Sequence, residues 1–123
     1  MKLGADALVV SNHGGRQLDG AESSIGALPK IADAVSSDIE IMFDGGIRTG
    51  ADIMRALALG ARSCMIGRAY AWGLGAGGKA GVAKAIDILK KELDITMALC
   101  GVNRVADVGP QVLVGRHDGA STK

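Results

Sequence analysis

Three short apolar runs punctuate the first half of the chain: Ala7-Leu8-Val9-Val10, Glu40-Ile41-Met42-Phe43 and Ser63-Cys64-Met65. Each is continuous and does not alternate, the pattern of parallel strands covered on both faces. Between the runs the apolar spacing widens to the three-to-four of a helix. Ser23 or Ser24 can cap a helix whose apolar positions are Ile25, Leu28, Ile31 and Val35, with Pro29 expected to split or delay it. Thr49, with Asp52 three residues on, approaches a capping box. The helix it opens has Ile53, Ala56, Leu57 and Leu59 on its apolar face, and Gly60 stops it. The order strand, helix, strand, helix, strand predicts right-handed βαβ units in a parallel sheet, an α/β fold.

Beyond Arg68 the pattern is helical throughout. A short helix over residues 69–75 should break at Gly75-Ala76-Gly77-Gly78. A long amphipathic helix over residues 80–99 follows, with Val82, Ile86, Leu89, Leu93 and Met97 along one side and Gly101 as its cap. Lys90, Lys91 and Glu92 form a solvated face, and Asn103 can cap a last short helix over residues 104–108. Residues 110–123 read as a disordered tail in which His117 is inert. Two features resemble part of a larger unit. Met1-Lys2-Leu3-Gly4 reads as the last turn of a helix, and a three-stranded parallel sheet leaves two apolar edges, a pairing hazard.

Composition narrows the function classes. A length of 123 residues favours one domain. A net charge of +1 and the lack of a basic stripe with interleaved aromatics argue against an electrostatic nucleic-acid binder. With Phe43, Tyr70 and Trp72 the only aromatics, the core must be built from aliphatic side chains and methionine. No apolar run approaches the roughly 18–20 residues of a membrane span, and the first residues do not read as a signal peptide. Cys64 and Cys100 lack metal-type spacing and read as two buried free thiols in a reducing cytoplasm.

The chemistry gathers where the strands end. Directly after Val10 comes Ser11-Asn12-His13-Gly14-Gly15-Arg16-Gln17-Leu18-Asp19-Gly20. A histidine and an arginine three residues apart, separated by two glycines, offer a base and a fixed cation to one small ligand. That pairing suits an anionic substrate that must lose a proton: imidazole titrates near neutrality, and a guanidinium matches a carboxylate bidentately. The plainer alternatives are a loop histidine bonded to backbone and a surface ion pair of Arg16 with Asp19 or Glu22. Asn12 and Gln17 serve loop geometry. After Phe43 stands Asp44-Gly45-Gly46-Ile47-Arg48-Thr49-Gly50, and after Met65 stands Ile66-Gly67-Arg68. Glycines that admit backbone N–H groups, a helix start at Thr49 and the charges of Arg48 and Arg68 together suit a phosphate. Glycines serving only tight turns are the alternative.

At these residues the chain resembles the FMN-dependent α-hydroxy-acid dehydrogenases and oxidases, the family of L-lactate dehydrogenase, glycolate oxidase and mandelate dehydrogenase. The Ser11–Asp19 motif is specific to that family, whereas the two glycine–arginine motifs are shared with other phosphate-binding barrels. The resemblance implies a partial TIM (β/α)8 barrel: residues 1–109 would supply strands six to eight with their helices and the closing C-terminal helices. Tyr70 and Trp72 would pack against its outer layer. The resemblance further implies FMN as cofactor and oxidation of a small L-2-hydroxy acid such as lactate. His13 would be the base, Arg16 the substrate-carboxylate anchor and Asp44 the group that orients the His13 imidazole. Asp44, Gly45, Gly46, Arg48, Gly67 and Arg68 would form the cofactor site. The family's strands one to five have no counterpart here, so the alternative is an inactive barrel fragment. In either case the open strand edges predict a homo-oligomer.

Overall fold

The computed structural model describes residues 4–35 and 39–114. Strands β1 (Ala7–Val10), β2 (Glu40–Phe43) and β3 (Ser63–Cys64) form one parallel sheet in that order. Val10 stands opposite Phe43, and Phe43 opposite Cys64, so the three strands end level with one another. The ladder extends one step past each end. Asp44 N–H bonds Val10 O at 3.0 Å, and Met65 N–H bonds Phe43 O at 2.8 Å. The residues that follow each strand therefore emerge along one edge of the sheet.

Helix α1 (Ser24–Val35) connects β1 to β2, and α2 (Gly50–Ala58) connects β2 to β3. Ser23 is the cap of α1: its hydroxyl accepts Gly26 N–H at 3.2 Å. Pro29 lies inside α1 without dividing it, the ring removing one backbone donor that the flanking turns tolerate. The predicted capping box of α2 is formed in full, with Thr49 and Asp52 as its two members. Gly60 (φ 109°) ends α2, and Ala61 N–H closes the turn on Ala56 O at 3.0 Å.

One face of the sheet carries the core. Val10, Ile41 and Phe43 pack with Leu28 of α1, Ala56 of α2, and Ile47 and Ala61. Leu28 and Phe43 are fully buried, and each contributes about 1.5–3 kcal/mol through removal from water. The opposite face departs from the expectation of strands covered on both sides. Val9 remains 43% exposed, Met65 40% and Met42 half-buried, because the described elements supply helices to one face only.

Helix α3 (Arg68–Leu99) breaks in the predicted glycine stretch, at a sharp kink. Gly77 (φ −159°, ψ 25°) and Gly78 (φ 56°, ψ −139°) leave helical geometry there. The two arms fold back until Gly73 and Gly81 touch, leaving no room for a Cβ on either. The C-terminal arm packs on α2 with Leu89 and Met97 buried, and Gly101 (φ 72°) ends it as expected, with Val102 N–H on Met97 O.

Several side chains fall elsewhere than their spacing implies. Ile86 is about half exposed, and Trp72 is 78% exposed. Cys100 is also exposed, while Cys64 is half-buried. The cap of the short helical turn Val105–Asp107 is Arg104 and not Asn103, and no side-chain hydrogen bond caps the turn. The start of the expected tail is ordered: Pro110–Val112 forms a second helical turn that docks on α2. Residues 115–123, with His117, and the first three residues lie outside those described.

Candidate functional site

A parallel sheet brings all its C-terminal strand ends to one side, and ligand sites collect there because helix N-termini and loop amides face the same way. Here that side holds an open cavity of about 400 Å³ lined by His13, Gly14, Arg16, Asp44, Gly45, Gly46, Ile47, Arg48, Met65, Gly67 and Arg68. The candidate site residues His13, Arg16, Asp44, Gly45, Gly46, Arg48, Gly67 and Arg68 all line this one cavity. Ile47 and Met65 join it without having been anticipated. They are neutral residues inside or beside the motifs, and no local signal marked them. Three guanidinium groups against one carboxylate make the lining cationic overall.

The loop after β1 is held from two sides. Ser11 Oγ donates to Asp44 Oδ1 at 2.5 Å and accepts His13 N–H at 3.1 Å. Asn12 N–H bonds the buried Ser24 Oγ at 3.0 Å, and Asn12 Nδ2 bonds Glu22 O at 3.3 Å. Asn12 thus serves loop geometry, as its residue type suggested. His13 begins a 3-10 turn with φ 54°, a left-handed conformation that disfavours a side chain by about 1–2 kcal/mol. The neighbouring glycines, Gly14 (φ 69°) and Gly15 (φ 71°), adopt the same region without that cost.

Two observations bear on the expected roles. Among the described residues the Asp44 carboxylate bonds Ser11 Oγ and makes no hydrogen bond to the His13 imidazole. The N-terminus of α2 is not open to an anion either. Asp52 Oδ2 accepts the N–H groups of Arg48 (3.1 Å) and Thr49 (3.0 Å), and Glu92 Oε2 on α3 accepts that of Gly50 (2.9 Å). Glu92 is therefore a half-buried cap and not part of a solvated face. Burial opposes ionisation of Asp52, but the bonds from Thr49 and Arg48 and the charge of Arg55 outweigh it and hold its carboxyl below the usual value.

The open helix start is that of α3. Its first residue is Arg68, its cap is Gly67, and no side chain caps it. Gly45 (φ 103°) and Gly46 (φ 85°) turn the β2 loop towards the same cavity, and a Cβ on Gly46 would meet nothing within 4 Å. Gly45 is tighter: its Cβ would strike Ser24 Oγ, so glycine is required there for packing as well as for its φ. The alternative pairings for Arg16 are not made. Glu22 Oε1 pairs with Lys30 Nζ at 3.0 Å, and Asp19 Oδ1 accepts Gly20 N–H at 3.1 Å. The cavity presents Arg16 beside His13, and Arg48 and Arg68 between the β2 and β3 loops.

Comparison with known proteins shows the family of the chain. The family model described as FMN-dependent dehydrogenase matches residues 1–115, and the chain belongs to that family of flavin oxidoreductases. The chain is 54% identical over 114 residues to an L-lactate dehydrogenase of Stenotrophomonas maltophilia (strain R551-3), covering 93% of this chain and 30% of that protein. It is 56% identical over the same length to an L-lactate dehydrogenase of Actinobacillus pleuropneumoniae serotype 5b (strain L20), with the same coverage. Among solved structures, a mandelate oxidase mutant with the monooxide FMN adduct superposes with a TM-score of 0.83 at 46% identity, covering 85% of this chain and 33% of that one. The chain thus spans just under a third of the length of the relatives it matches.

Proposed function

We propose that this chain carries the base, the carboxylate anchor and the FMN-phosphate seat of an enzyme that oxidises a small L-2-hydroxy acid, of the lactate kind, to the 2-oxo acid. The observation that carries the reading is the convergence of His13, Arg16, Asp44, Gly45, Gly46, Arg48, Gly67 and Arg68 on one cavity. In this reading the His13 imidazole accepts the substrate's proton at a ring nitrogen. Arg16 holds the substrate carboxylate with its planar fork, so the reacting carbon stays beside the imidazole. The backbone amides at Gly45, Gly46 and Gly67, with Arg48, Arg68 and the uncapped start of α3, receive the cofactor phosphate. When bound, FMN supplies the acceptor for the electron pair. Asp44 belongs to both halves: its loop begins the phosphate seat, and its carboxylate acts on the histidine loop.

Within the same reading, residues 1–109 are the last three strand–helix units of a (β/α)8 barrel. Supporting it are the glycine–arginine loops after the last two strands, where eightfold barrels commonly keep a phosphate site, and the exposed sheet face around Val9 and Met65, as the interior face of a barrel segment would be. The free thiols fit a reducing, cytoplasmic setting. A second reading, a non-catalytic segment that self-associates, draws on that same bare face.

Anion binding and turnover test the proposal separately. By calorimetry, Arg68→Ala should weaken binding of FMN or inorganic phosphate by about 1.5–3 kcal/mol, the scale of a hydrogen bond to a charged group. Unchanged affinity would mean that the glycines serve turns alone. In an active protein carrying this segment, His13→Ala should lower turnover by about 10²–10⁴ with FMN retained. Arg16→Ala should raise KM and lower kcat together.

A further inference from the structure

Asp44 and His13 line one cavity, yet the carboxylate reaches the histidine by an indirect path. Ser11, the first residue beyond β1, gives its only hydroxyl hydrogen to Asp44 Oδ1 at 2.5 Å. The same oxygen accepts His13 N–H at 3.1 Å. A serine hydroxyl has one donor and two acceptor sites, so the two bonds coexist, and an ionised acceptor strengthens the first. The amide so captured belongs to the described residue that holds a left-handed backbone without being glycine, His13 at φ 54°. Such a conformation persists only where the surroundings over-determine it.

We infer that, given His13 as the base, Ser11 is a positioning residue: its hydroxyl clamps the His13 main chain to the Asp44 carboxylate and thereby aims the imidazole. The end of β2 controls the base through the backbone of the β1 loop, across 33 residues of sequence. The adjacent Asn12 is anchored independently, by Ser24 Oγ and by Glu22 O, and Gly15 N–H closes the turn on Asn12 O at 2.9 Å. Loss of the Ser11 hydroxyl therefore releases the His13 end of the loop while its other anchors hold. Ser11 is exposed and outside the core, so its truncation leaves the packing of the sheet intact.

Amide hydrogen exchange of the chain, followed residue by residue by NMR, tests the clamp directly. In Ser11→Ala the His13 amide should exchange about two- to tenfold faster, the factor that corresponds to one hydrogen bond. The Asn12 and Gly15 amides should keep their rates, which also reports that the fold survives, and Ser11→Thr should restore protection at His13. An unchanged His13 rate, or an equal acceleration of all three amides, overturns the clamp. Kinetics of an active protein carrying this segment then separate the clamp from the base. Ser11→Ala should lower kcat about two- to tenfold at constant KM and constant FMN affinity, with recovery in Ser11→Thr. If His13→Ala keeps its turnover, the base reading fails while the exchange result still decides the clamp. If His13→Ala is inactive and Ser11→Ala is fully active, the positioning role fails while the base reading stands.

Discussion

At the scale of single residues, His13 and Cys64 show how position sets chemistry. Both follow or end a strand, but one is exposed in a left-handed turn and the other lies half-buried beneath the sheet. Burial pushes the Cys64 thiol up to about 11, because the thiolate loses its water there. At pH 8 only about one Cys64 thiol in a thousand is then ionised, and the thiolate is the reactive form. Cys100, past the end of α3, is exposed. Brief alkylation with iodoacetamide at pH 8 should therefore modify Cys100 and spare Cys64, as read by peptide mass spectrometry. Equal labelling of the two would mean that the cover over Cys64 opens on the timescale of the reaction.

At the scale of elements, the start of α2 shows why a helix N-terminus beside a ligand cavity does not itself serve the ligand. Asp52 and Glu92 already take the N–H groups of Arg48, Thr49 and Gly50, and the helix dipole favours those carboxylates. Gly50 also lies so close to α3 that a Cβ would collide with the Leu93 backbone nitrogen. The capping box has a definite pH signature. The folded-state pKa of Asp52 lies below its reference value of 3.8, so its contribution is fully present above that pH and is lost as pH falls through the lowered value. Urea unfolding of the wild type and Asp52→Asn should differ at pH 7, and the gap should close as the pH falls through the lowered value. Thr49→Ala should cost about 1 kcal/mol at pH 7. A wild-type–Asp52→Asn gap that persists unchanged below the lowered value would show that the ionised carboxylate is not what the box uses.

At the scale of the whole molecule, the sheet has one covered and one bare face. Apolar side chains are exposed on α3 as well, at Trp72, Leu74, Ile86 and Ile95. Exposed apolar side chains in this number favour a partner in water, and among the described residues β1 and β3 are open sheet edges. We expect the chain to form a homo-oligomer, measurable by sedimentation at micromolar concentration; a monodisperse monomer there would count against it. Adding salt should not dissociate the assembly, since its contacts would be apolar.

The parts of this structure that depend on a residue's near neighbours are legible in the sequence. The three strands, the Thr49–Asp52 box, the glycine stops at Gly60 and Gly101 and the break near Gly77 all follow from signals spanning at most a few residues. The strand order and the shared edge follow too, because parallel βαβ connections leave few alternatives. For that reason the three motifs could be assigned to one site. What remained hidden depends on pairs far apart in the chain. The Ser11–Asp44 bond spans 33 residues and the Gly50–Glu92 bond 42, and no periodicity encodes either. Val9 and Ile86 have the residue types of buried positions, and only the arrangement of the helices leaves them exposed. Sequence determined which groups stand at the strand ends, since turn and strand preferences are local. Tertiary structure decided which of those groups bond to one another, since that is a matter of which loops the sheet brings side by side.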